Sequence, residues 1–187
     1  TYTLTLAPGQ HAIANHFNKG GNRLSELLTG VPEGTAVYKW DPRSGMYTVA
    51  TLEFGSWREN VTLGPGEGAV IHVRGPNELA LTFAREPVTD PQPPTLELDR
   101  FHLVSSQTAE ESRFEDIVGH PPTEGAQLNR LPPAGTQWDV FTFSDGSWAP
   151  SEPTIRIGES VFVRLLQEYV PPSGCGRLLA THRRNDG

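Results

Sequence analysis

Two glutamates stand in matching phrases: Glu67 in "TLGPGEGAVIHV" and Glu159 in "TIRIGESVFVRL". A symmetric pair of carboxylates facing each other across an interface is the equipment of glycoside hydrolysis, with one acid and one base or nucleophile. If the chain is an enzyme, Glu67 and Glu159 are the catalytic candidates. A Gly-Glu at the start of a strand has a plainer use, in which the carboxylate caps a turn by accepting backbone N–H groups. That plainer use is the leading expectation, so no catalytic residue is assigned.

The histidines repeat as well, with His11 in "GQHAIAN" and His102 in "RFHLVSS". A metal site needs two or three ligands close together. His11 and His16 are five apart, which in a strand sends them to opposite faces. No metal is expected, and His11 and His102 are read as making one structural hydrogen bond twice. Ser56 and Ser147 sit in repeated Gly-Ser-Trp phrases without the G-x-S-x-G elbow of a serine hydrolase. "KGGN" and "GPGEG" lack the Lys-Ser/Thr of a phosphate loop, and no cofactor is expected. Cys175 is the sole cysteine, which excludes an internal disulfide and a cysteine zinc site, and it is read as an incidental thiol. Asn60 in "NVT" is formally a glycosylation acceptor.

Aromatic residues are the stronger functional candidates. Trp and Tyr planes stack on the apolar C–H face of a sugar while polar neighbours take its hydroxyls. The ligand-binding candidates are Trp40, Asp41, Tyr47, Trp57, Trp138 and Trp148. Trp57 and Trp148 recur in the two Gly-Ser-Trp phrases, which favours packing over a core. Trp40 and Asp41 lie beside the turn sequence "DPRSG" and are expected to be the exposed pair.

These residues must be positioned by two tandem units. "NRLSELLTGVPEGT" matches "SRFEDIVGHPPTEGA", and the histidine, Gly-Ser-Trp and Gly-Glu phrases follow in the same order at near-constant offset. The expected division is unit 1 over 1–86, a proline-rich linker over 87–95, unit 2 over 96–170, and a loose or edge-covering tail over 171–187. Each unit is read as mostly β with one short helix, forming a sandwich or a small barrel. The helix stripes are Leu24, Leu27 and Leu28, and Phe114, Ile117 and Val118, each followed by a capping glycine, Gly30 or Gly119. The first strand is expected over Thr3–Leu6 running on into His11–Asn15, and its counterpart over Leu96–Ser105. Paired strands flank "DPRSG", and "TQWDVFTFSDGSW" is their counterpart in unit 2.

Composition narrows the partners. With 15 basic against 22 acidic residues the chain carries −7, which disfavours nucleic acid and anionic membrane surfaces. No apolar run is long enough to cross a membrane as a helix, so no membrane insertion is expected. Gly 19 and Pro 17 suit many short strands joined by turns. No signal peptide is read, and the opening "TYTLTLAPG", already in strand-like alternation, fits a mature secreted chain and equally a chain trimmed at that point.

Read as "PG…IAN…GGN-x-L…P-x-GT-x-VYKWD…G-x-W…TL-x-PGEG", residues 4–84 resemble a recurrent module of bacterial secreted and cell-surface proteins. Residues 96–165 resemble it more weakly, without the "GGN" and "YKW" elements. Unit 1 itself departs from the pattern at Gln10 and His11. The resemblance implies a β-rich accessory, surface-display or binding domain and brings no catalytic residues with it. The expected function is a non-catalytic extracellular module at the cell surface that binds a polysaccharide or surface component or joins an envelope assembly. A small secreted hydrolase acting on polysaccharide or ester is the second reading. A self-associating structural subunit is the third.

Overall fold

A computed structural model describes residues 1–18, 20–84 and 87–172, and the tail expectation, with Cys175, lies outside the described residues apart from 171 and 172. The chain is mostly strand. In order it forms β1 (Tyr2–Leu6), β2 (Gly9–Ala14), α1 (Leu24–Leu27), β3 (Ala36–Asp41), β4 (Met46–Glu53), β5 (Ser56–Arg58), β6 (Gly68–Val73) and β7 (Leu79–Phe83). There follow β8 (His102–Val104), α2 (Phe114–Val118), β9 (Gln127–Arg130), β10 (Asp139–Ser144), β11 (Ser147–Ala149) and β12 (Val161–Arg164).

Two antiparallel five-stranded sheets result, ordered β2-β6-β3-β4-β5 and β8-β12-β9-β10-β11. Taken in chain order, the elements of the second sheet succeed one another as those of the first do. β1 and β7 form a separate two-stranded ribbon that has no counterpart among the described residues of the second half. Both helices are a single turn whose first backbone N–H is met by an acidic side chain, Arg23 by Glu26 at 3.2 Å and Arg113 by Asp116 at 2.7 Å. Gly119 closes α2 in the left-handed conformation.

Three expectations need correction. The first strand does not run through Pro8: the chain breaks there, β1 joins β7, and β2 joins β6. In the second half only His102–Val104 of the expected Leu96–Ser105 is strand, since Leu98–Arg100 form a turn. β9, a central strand, went unread because "QLNR" offers one apolar residue, Leu128, where a strand pattern needs alternation.

Three cores hold the fold. One lies under the first sheet, α1 and the β1–β7 ribbon, around Ile13, Leu24, Leu63 and Ile71. A second lies under the second sheet and α2, around Phe114, Ile117, Leu128 and Val163. The third is shared, combining Ala12 and Val70 of the first half with Leu103, Leu131 and Phe162 of the second. That face adds, between the two sheets, to the apolar area buried in the other two cores.

Backbone bonds reinforce the joint reciprocally. Ala14 N–H donates to Gly158 O at 2.9 Å, and Ser105 N–H donates to Gly66 O at 2.9 Å. Isolated bridges pair Ile13 with Glu159 and Glu67 with Val104. His16, fully buried, fastens the same seam: its Nδ1–H donates to Ser106 O at 2.7 Å, and its Nε2 accepts the Gly158 N–H at 2.8 Å. Those two partners fix a neutral ring, since protonation would turn Nε2 against a donor. Burial holds the His16 imidazole below its ordinary value.

Candidate functional site

Glu67 and Glu159 both sit at this joint, at the starts of β6 and β12, and each is engaged by a turn and a cation. Glu67 Oε2 accepts the Gly64 N–H at 2.7 Å and pairs with Lys39 of β3 at 2.9 Å. Glu159 Oε2 accepts the Arg156 N–H at 3.0 Å, while its Oε1 pairs with Arg130 of β9 at 2.7 Å. Turn cap and cation are the same in both halves. A carboxylate that accepts an N–H of its own turn and pairs with a cation of the neighbouring strand ties the two together, which is a structural use.

The histidines also serve structure. His11 Nε2–H donates to Ala7 O at 2.7 Å, and His102 Nε2 accepts the Glu97 N–H at 3.1 Å. Burial lowers the His102 imidazole, opposed by the Glu97 backbone bond and carboxylate. Among the described residues no three His, Cys, Asp or Glu side chains gather as a metal would need.

The aromatic candidates separate into two groups. Trp57 on β5 packs at the edge of the first core, and Trp148 on β11 packs against Phe114 and Phe143 with ring centroids 5.3 and 5.5 Å away. Each follows a two-residue turn with both residues at positive φ, Phe54-Gly55 and Asp145-Gly146, which folds the Trp strand back beside its helix. Trp40 corrects the expectation of an exposed pair. It is half-buried in the shared core, its indole N–H donating to Phe101 O across the joint at 2.7 Å. Asp41 is exposed but acts on its own turn, accepting the Arg43 N–H at 3.0 Å. Ser44 and that N–H hold its carboxyl below the usual range.

Trp40 nevertheless belongs to a continuous strip of rings. It meets Tyr47 at 4.9 Å and Phe162 at 5.2 Å, Phe162 meets Trp138 at 4.8 Å, and Tyr38 meets Tyr47 at 6.1 Å. The strip follows from register. One cross-strand row of the first sheet runs Ala12, Val70, Tyr38, Val49, and one of the second runs Leu103, Phe162, Asn129, Val140. Their inner members are buried in the shared core, while Val49 is 43 % exposed and Val140 49 %. Tyr47 is 39 % exposed beside them, and Trp138 is half-buried. The same two faces that seal the joint therefore open to solvent at their outer strands, carrying rings from both halves. The sequence could not reveal Phe162 as the buried link between Trp40 and Trp138, because only the packing of one sheet on the other brings those rings together.

The chain matches no protein-family model, no curated relative and no solved structure.

Proposed function

We propose that this protein is a non-catalytic, extracellular accessory module, built as two copies of one unit, that binds a polysaccharide or a carbohydrate-bearing surface component. The binding surface in this reading is the outer part of the aromatic strip, Tyr47 and Trp138 flanked by Val49 and Val140. The observation that carries it is the division of labour at the joint: both candidate carboxylates are engaged by turns and cations, while rings and valines of the same faces stand open. Partly exposed rings with apolar neighbours suit the face of a pyranose. The net charge of −7 favours neutral or cationic glycans over anionic ones. The resemblance of residues 4–84 to a surface module also supports an extracellular setting.

The test is affinity electrophoresis of the native chain and its Tyr47→Ala and Trp138→Ala variants through gels cast with neutral polysaccharides. Retardation of the native protein, reduced in both variants at a temperature where circular dichroism shows both to be folded, is the expected result. Equal mobility in every gel would remove the reading.

A further inference from the structure

We propose that a second site, a cleft between the β1–β2 segment of the first half and the turn before β12 of the second, binds a small uncharged ring-bearing molecule with one hydroxyl or N–H donor. The cleft encloses about 240 Å³, and its walls are apolar: Leu4, Leu6, Leu131, Pro133 and Ile157. Beside them the lining carries the polar side chains of Thr5, His11, Glu78, Arg156 and Glu159. Arg156 and Glu78 bring opposite charges, and Glu159 is already committed to Arg130, so the cleft offers no single uncompensated charge to select an ion.

The selective group is His11. Its side chain is buried, only 6 % of the residue being exposed, and it forms part of the lining. Nε2 is spent as a donor to Ala7 O. Nδ1, the other ring nitrogen, has no hydrogen-bond partner among the described residues and can accept one bond. A hydrogen-bond acceptor set in apolar walls selects a ligand that brings one donor and little other polarity.

The repeat counterpart of this cleft indicates which shape fits. The matching cleft, between Trp40, Gly66 and Glu67 of the first half and His102 of the second, encloses about 180 Å³. Where it carries Trp40, following the cation Lys39, the first cleft carries the smaller Leu131, following the cation Arg130. The flat ring of Trp40, whose N–H donates to a carbonyl, narrows its cleft, and the smaller Leu131 leaves the first cleft wider. Neither Tyr47 nor Trp138 lines this cleft, so the site stands independently of the polysaccharide reading.

The test titrates the isotopically labelled protein with phenol and separately with toluene, following backbone and imidazole resonances of His11, Leu6 and Ile157. Saturable shifts are expected for both compounds, with phenol tighter by about three- to tenfold, the worth of one net hydrogen bond. His11→Phe should bring phenol to the level of toluene. Ile157→Trp, at a partly exposed wall residue, should block both. No saturable shift at these residues, equal affinity for the two compounds in the native chain, or undiminished binding in Ile157→Trp would each overturn the proposal. Should His11→Phe fail to fold, the native phenol-to-toluene ratio and Ile157→Trp decide it.

Discussion

Gly68 offers the sharpest test of how the two halves meet. It opens β6, and a Cβ built on it would lie 2.5 Å from Ser160 Oγ, closer still to Ser160 Cβ, and 2.9 Å from Leu103 Cγ. Carbon atoms in favourable contact sit about 3.5–4.0 Å apart, so an alanine here demands a shift of about 1 Å against a strand start of the other half. Overpacking of this kind costs about 1–3 kcal/mol, and Gly68→Ala belongs at the upper end because the obstacle is a Cβ and not a flexible tip. Ser160→Gly alone should be close to neutral. It gives up about 0.5–1 kcal/mol of backbone entropy but removes a buried hydroxyl that has no partner among the described residues. The double variant removes both Ser160 contacts and leaves only Leu103 to adjust, so it should recover about 2 kcal/mol of the loss. In thermal unfolding, at roughly 2–4 °C per kcal/mol for a chain of this size, Gly68→Ala should fall by roughly 6–12 °C and the double variant should regain most of it. Additivity would refute the packing described for the joint: a double variant as unstable as Gly68→Ala means that Gly68 and Ser160 do not meet.

Other expectations follow from the same seam. Glu159→Gln should lower stability by about 2–3 kcal/mol and Glu67→Gln by about 1 kcal/mol or less, because the Glu159–Arg130 pair is largely buried whereas Glu67 is half exposed; urea midpoints at constant slope measure both. Acidification should loosen the joint. His16 and His102 have lowered folded values, so the unfolded chain takes up protons first: stability is full above about pH 6.5 and falls as pH drops toward the folded values, by up to ~1.4 kcal/mol per pH unit for His16, with His102 acting in the same direction. Urea midpoints between pH 7.5 and 5.5 should show the fall, and His16→Gln should flatten it. Trp40→Ala should cost about 3 kcal/mol by emptying part of the shared core, whereas Tyr47→Ala should leave the melting temperature within about 2 °C and act on retention alone.

Local chemistry was legible in the sequence, and long-range placement much less so. Both helices, the "DPRSG" turn and the capping use of Glu67 and Glu159 rest on neighbours a few residues away, and each could be read from its phrase. β9 was missed because its burial comes from lying between β10 and β12, which no alternation in "QLNR" records. Trp40 was expected at the surface because a turn follows it directly. What half-buries it is Phe101 and Phe162, sixty and more residues away. His16 carried no signal at all, since both of its hydrogen-bond partners belong to the other half. The exposed surface suffered likewise: single valines such as Val49 and Val140 read as ordinary strand residues until the two sheets are packed.

Incubating the purified chain with a panel of soluble and insoluble polysaccharides, and scoring bound protein and released sugar in the same tubes, tests the central claim most directly. The expected result is retention on at least one neutral polysaccharide with no released product. Product that accumulates with time and disappears in Glu67→Gln or Glu159→Gln would contradict it, and would make those carboxylates catalytic after all.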